Sequence, residues 1–284
     1  MQLDRYARAT DFLAVAGDYL AAREAEHNLI LGIAGTLVRD RETSDESPYF
    51  AVVGTEARPV AAALRTPPWN LVLSEVDDRA ALDLLADDLA GEALPGVTGP
   101  PAAVEQFAGA WTARFGGHAE RAMEERIYRL THVTPPRRAA NGRARRATSD
   151  DRDLLTALVV AFHEEALPIE GGDRARRAIA DWDPETGRQF WIWEDDDGRP
   201  VSLVGAGSPT PRGIRIGPVY TPPEHRGRGY ASTLTAFVSQ RALDAGRQFC
   251  FLYTDLANPT SNRIYQAIGY EPVIDALMVR FEHE

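Results

Sequence analysis

The sequence predicts an α/β (α+β) protein built from two successive copies of one mixed-sheet unit, and three observations predict it. First, Tyr49-Phe-Ala-Val-Val-Gly-Thr-Glu-Ala-Arg-Pro-Val60 aligns with Phe190-Trp-Ile-Trp-Glu-Asp-Asp-Asp-Gly-Arg-Pro-Val201 at a constant offset of 141 residues, each copy reading as strand, tight turn and strand. Second, helical apolar spacing precedes both copies, over about 11–38 and 151–181, and a further strand and helix follow each. Third, Val133 to Thr148 holds five arginines, two prolines and no acid, the composition of a solvated connection rather than a nucleic-acid patch. These place a boundary at 136/137, giving domains 1–136 and 137–284.

Composition removes several function classes. The 284 residues carry 31 basic and 42 acidic side chains for a net charge of -11, and every basic residue is arginine. Without lysine there is no Schiff-base chemistry, no P-loop lysine and no kinase-type lysine. The acidic balance argues against nucleic acid as a partner, because a basic surface supplies most of that affinity, and it favours cationic partners. Asp11 and Asp18 interrupt the N-terminal apolar residues, and no stretch approaches the roughly 18 uncharged residues of a membrane span, so the expectation is a cytoplasmic protein without a membrane partner. A homodimer is left open. The single Cys250 lies between two phenylalanines in an apolar run and reads as a buried strand residue.

Taken in order, Arg143 to Ala147 reads as strand, running into the N-cap types Thr148, Ser149 and Asp150 before Leu154, Leu155, Leu158, Val159 and Phe162 at helical spacing. In the hairpin that follows, Trp191 and Trp193 share a core-facing side, and Asp195-Asp196-Asp197-Gly198 supplies turn chemistry rather than a metal loop. Ile214 to Tyr220 is strand-like but contains Gly217-Pro218, and a proline cannot donate to a sheet ladder, so a bulge or a splayed edge is expected. The chain then passes through Arg226-Gly-Arg-Gly-Tyr-Ala231 into a helix expected over about Ser232 to Ala245. No acid occurs between Arg226 and Gln240, although a helix's first turn normally attracts one. Gly227 and Gly229 let backbone N–H groups approach an anion, and Arg226 and Arg228 add positive charge, which together make a pyrophosphate cradle. A dinucleotide fingerprint fails here, because Ser232 stands where the third glycine belongs. Gln248 to Thr254 is a buried strand, after which Asn258 is an N-cap and Pro259 a first helical residue. Asn258, Asn262 and Tyr265, at spacings of four and three, share one helix face.

From Arg143 onward these elements resemble the GNAT superfamily of acyl-CoA-dependent N-acyltransferases. Arg226 to Ala231 is similar to that family's acyl-CoA pyrophosphate loop, and Asn258-Pro-Thr-Ser-Asn-Arg-Ile-Tyr-Gln-Ala-Ile-Gly-Tyr270 to the helix carrying its tyrosine beside the thioester sulfur. The resemblance implies acetyl-CoA as co-substrate, no metal, and an amine acceptor attacking the acyl carbonyl directly in a ternary complex. It implies that strands splayed around Val219 and Phe251 admit the pantetheine arm, that backbone groups at Val219, Tyr220 and Thr221 hold it, and that Arg226, Gly227, Arg228, Gly229, Tyr230, Ala231, Asn258 and Asn262 complete the site. Tyr265 is then the acid that protonates the departing thiolate. Some family members carry a basic glutamate where Arg215 stands here, which leaves His163, Glu164, Glu165 and Glu170 as candidate bases. The first half reads as a degenerate copy in a tandem GNAT protein: after Trp69 to Glu75 it offers Val76-Asp-Asp-Arg, without glycine and with Asp77 and Asp78 to repel pyrophosphate. A catalytically silent acyl-CoA sensor is the alternative to an enzyme.

Overall fold

The computed structural model describes residues 1–39, 47–55, 58–76, 78–166 and 172–282. The first half runs β1 (Gln2–Tyr6), α1 (Ala9–Ala22), α2 (Asn28–Arg39), β2 (Tyr49–Thr55), β3 (Arg58–Arg65), β4 (Leu71–Leu73), α3 (Arg79–Asp88), β5 (Gly96–Gly99), α4 (Pro101–Phe115) and β6 (His118–Leu130). The second repeats that order as β7 (Arg143–Arg146), α5 (Arg152–Ala166), α6 (Gly172–Ala180), β8 (Gln189–Glu194), β9 (Pro200–Gly207), β10 (Gly213–Tyr220), α7 (Tyr230–Asp244), β11 (Phe249–Asp255), α8 (Pro259–Ala267) and β12 (Glu271–Glu282). The duplication read from the hairpins extends through every α-helix and strand. β7 is the strand expected at the end of the basic run, and its arginines are paired: Arg145 meets Asp151 at 2.7 Å and Glu194 at 2.6 Å.

Among the described residues the strands form one 12-stranded sheet, in the order β1-β2-β3-β4-β5-β12-β6-β11-β10-β9-β8-β7. The last strand of each half has crossed to the other. β12 pairs with β5 through Leu277 to Arg280, while β6 pairs with β11, Leu130 to Glu125 lying opposite Cys250 to Asp255. β6 and β12 also pair with each other along almost their whole length, closing the seam.

Helices cover both faces of each half. In the second, Leu234 and Val238 of α7 pack with Ile216, Cys250, Leu252 and Ile268 on one side. On the other, Leu155, Leu158 and Val159 of α5 pack with Ile192, Leu203 and Tyr220. Trp193 is buried and donates to Asn141 O at 2.9 Å, while Trp191 is partly buried and meets Phe237 edge-on. Asp195 accepts from the Asp197 and Arg199 backbone N–H groups in its hairpin, which is the turn role expected of it. Cys250 is fully buried, and burial pushes its thiol up to about 12, so no thiolate forms near neutral pH.

Contacts between the halves include a buried carboxylate. Glu24, in the connection from α1 to α2, accepts from Thr210 Oγ1 at 2.6 Å, from the Arg212 and Gly213 backbone N–H groups at 2.8 and 3.0 Å, and from Arg212 Nε at 2.7 Å. Burial alone would raise its pKa, but these donors together hold it below the ordinary value.

Candidate active site

The strand expected to bulge does so. β10 pairs in parallel with β11 over Gly213 to Arg215 and Phe249 to Phe251. Beyond that point β10 continues to Tyr220 and β11 to Asp255 without pairing to each other, while the opposite edge of β11 stays paired with β6 from Cys250 to Asp255. On its other edge β10 slips against β9 between Ile216 and Val219, one extra residue standing on β10. Gly205 makes room for this, since a side chain there would come within 2.7 Å of Gly217 O.

The opening leads to the start of α7. Gly227 and Gly229 have φ of 76° and 83°, in the left-handed region where glycine is favoured, and Gly229 is the N-cap. The first turn of α7 carries no acid, so its N–H groups and their positive end of the helix dipole face the loop uncompensated. His225 adds a buried Nδ1 without a hydrogen-bond partner among the described residues. An orphaned polar atom, two left-handed glycines and an acid-free helix start fit an anionic group such as a pyrophosphate.

One cleft of about 650 Å³ joins these features. Val219, Tyr220, Thr221, Arg226, Gly227, Gly229, Tyr230, Ala231, Asn258 and Tyr265 line it, ten of the twelve residues expected at the site. Arg228 and Asn262 do not. Asn262 is committed to the fold: its Oδ1 accepts from Tyr128 Oη at 2.9 Å, and its Nδ2 donates to the Asp255 and Asn258 carbonyls at 2.9 and 2.8 Å. Asn258 accepts from Ser261 N–H at 3.0 Å, the N-cap expected of it, with Pro259 following. Tyr265 is 8% exposed, packs edge-on to Tyr270, and is kept protonated by burial, which raises its phenol far above neutral pH.

Of the candidate bases, Glu165 lines the cleft but is bound to Arg226 at 2.7 Å and accepts weakly from Tyr220 Oη at 3.4 Å. His163 lies outside the cleft lining against Phe162, its pKa lowered by burial. Glu164 does not line the cleft either, and Glu170 lies outside the described residues. The structure adds Glu125, from β6, together with Tyr253 and Asp255. Glu125 was not legible as a site residue, because its strand belongs to the other half. The one signal that could have found it is the duplication, which requires a strand before the basic run to match the one at the C-terminus.

In the first half, β4 and β5 form the corresponding parallel pair, Leu71 and Val72 opposite Val97 and Thr98. The corresponding helix start is closed by the chain itself, Asp78 accepting from Ala80 N–H at 2.9 Å. Asp77 lies outside the described residues.

The sequence profile of the acetyltransferase (GNAT) family matches residues 155–270, the stretch that contains the splayed strands, the glycine loop and α8. Residues 155–270 are a GNAT-family domain. Solved GNAT structures share the fold of the whole tandem chain. A GCN5-related N-acetyltransferase from Kribbella flavida is 18% identical with a TM-score of 0.63, covering 93% of this chain and 96% of its own. A tandem GNAT protein from the clavulanic acid biosynthesis pathway is 16% identical with a TM-score of 0.58, covering 98% of this chain and 97% of its own. A Drosophila protein matches with a TM-score of 0.72 at 12% identity, over 99% of this chain and 98% of its own. No curated protein is similar enough in sequence to count as a match. The GNAT domain and fold support an acyltransferase. Among the described residues no helix is long and apolar enough to cross a membrane, and no cluster of side chains could hold a metal ion.

Proposed function

We propose that the protein transfers an acetyl group from acetyl-CoA to the amine of a small cationic acceptor, by direct attack within a ternary complex. The observation that carries this reading is the meeting of the splayed β10 and β11 with the acid-free start of α7 in one cleft that also holds Tyr265. In this reading residues 137–284 are the catalytic domain and residues 1–136 a degenerate partner that binds no acyl-CoA. Arg226, Gly227, Arg228, Gly229, Tyr230 and Ala231 hold the pyrophosphate, Val219, Tyr220 and Thr221 flank the pantetheine arm, and Asn258 and Asn262 shape α8 beside it. The thioester supplies the electrophilic carbonyl. A backbone N–H near Val219 stabilises the developing oxyanion, and Tyr265 gives its proton to the departing sulfur. A cationic acceptor is supported by the adjoining hollow of about 510 Å³, whose lining holds Glu124 and Glu165, each paired with an arginine, and Asp255, which is in no ion pair among the described residues.

Release of free thiol from acetyl-CoA, followed over putrescine, spermidine, an aminoglycoside and phenethylamine, tests the proposal. Amine-dependent release is expected. Acetyl-CoA binding without release for any amine would instead mark a silent acyl-CoA sensor.

A further inference from the structure

The cleft is bordered by three carboxylates among the described residues, Glu125, Glu165 and Asp255. Two are occupied: Glu165 by Arg226 at 2.7 Å, and Asp255 by Ala257 N–H at 2.7 Å in the turn that ends β11. The Glu125 side chain has no hydrogen bond or ion pair among the described residues. It sits on β6 opposite Asp255 of β11 and Ala276 of β12, beside the end of β11 that has left β10. We propose that Glu125, contributed by the first half of the chain, is the base that takes the proton from the acceptor's ammonium group in the cleft of the second half.

This inference rests on the acetyl-transfer reading above. Glu125 Oε accepts one proton from the ammonium, which frees the nitrogen lone pair. The nitrogen attacks the thioester carbonyl carbon, the C–N bond forms, and the C–S bond breaks with its electron pair going to sulfur. Tyr265 protonates that sulfur and is reprotonated by the second proton leaving the nitrogen, while the proton on Glu125 passes to solvent. Products are the amide, the free thiol and one proton. No other reactant is required.

The surroundings suit the role. Burial raises the Glu125 pKa, the Arg215 guanidinium from β10 pulls it back in part, and Asp255 from β11 adds to the rise. Tyr253 of β11 lies beneath Arg215, whose guanidinium is 4.7 Å from its ring centre, and the β12 neighbour Ala276 carries no charge. Across the cleft Glu165 is neutralised by Arg226. A carboxylate whose pKa is raised is a better proton acceptor than one at its ordinary value. The arrangement also gives the first half a task that binding acyl-CoA would not: it delivers the base on an exchanged strand.

The test uses the full-length chain, Glu125→Gln and Glu125→Asp, with a primary alkylamine that supports release and its β-fluorinated, weakly basic analogue. Unchanged acetyl-CoA affinity and melting temperature confirm that the variants are folded. Glu125→Gln is expected to lower kcat/KM for the alkylamine by roughly 10²–10⁴. It should lose the acidic limb of the pH profile, and its deficit should shrink for the weakly basic amine, which needs no deprotonation. Glu125→Asp should recover part of the loss. A purely structural role would slow both amines alike. Equal deficits for the two amines, or a Glu125→Gln profile that keeps the wild-type acidic limb, overturn the inference while leaving acetyl transfer intact. Absence of amine-dependent release in the wild type overturns both.

Discussion

Tyr265 and Arg226 lie in the same cleft, but the structure prepares them differently. Tyr265 is buried and protonated, with its ring fixed against Tyr270, so removing the hydroxyl alone leaves the packing in place. Tyr265→Phe is expected to leave acetyl-CoA affinity nearly unchanged and to lower kcat by roughly 10²–10⁴ when chemistry limits the rate. Stopped-flow thiol release at saturating amine checks it, and undiminished turnover would return Tyr265 to a packing role. Arg226 is already engaged, donating from Nε to Thr221 O at 2.9 Å and pairing with Glu165, a half-exposed contact worth little. It must exchange that carboxylate for a phosphate. Arg226→Ala should therefore weaken acetyl-CoA binding by about 1.5–3 kcal/mol. Glu165→Gln, which frees the guanidinium, should strengthen binding by up to about 1 kcal/mol. Opposite signs in calorimetry would show that Glu165 positions Arg226 for the ligand instead of competing with it.

At the scale of elements, what could be read from the sequence was what local chemistry encodes. Gly217-Pro218 announced the bulge because proline removes a ladder donor, and Asn258-Pro259 announced the start of α8 because each residue has one preferred place there. The glycine loop was legible for the same reason, although α7 begins at Tyr230, two residues before the periodicity placed it, since Gly229 itself caps the helix. Partners across the sheet were not legible. Arg126 and Asp275, paired at 2.6 Å on β6 and β12, are 149 residues apart, and nothing in either strand's pattern names the other. Asn262 carried a misleading signal: its spacing put it on one face with Asn258 and Tyr265, but Tyr128 of β6 claims its side chain. The Glu24 contact belongs to this scale too, because a loop of the first half satisfies the turn between β9 and β10. Its folded-state pKa lies below the ordinary glutamate value, so its contribution is fully present above that value and is lost as pH falls through the folded pKa. Glu24→Ala strands buried donors and should cost about 3–5 kcal/mol at neutral pH. The deficit relative to wild type should narrow as the pH is lowered below 4.5, the ordinary glutamate value. Urea denaturation at neutral and acid pH measures both, and a pH-independent difference would contradict the assignment.

Across the whole molecule, two copies of one topology share a single sheet, yet they differ where an acyl-CoA would be held. Both have a parallel strand pair leading to a helix. In the second the helix begins with left-handed glycines and no acid; in the first it begins with Asp78 bonded to its own backbone. Exchange of β6 and β12 means that neither half completes its sheet alone. One acyl-CoA site per chain, at the start of α7, is therefore expected. Calorimetric titration of the full-length protein and of Gly229→Asp with acetyl-CoA tests it most directly. Aspartate tolerates the left-handed backbone better than most residues while placing a carboxylate where the pyrophosphate would lie. A stoichiometry of one for the wild type and no measurable binding by the variant are the expected results; a stoichiometry of two, or equal affinity in both proteins, would show that the start of α7 is not the single acyl-CoA site.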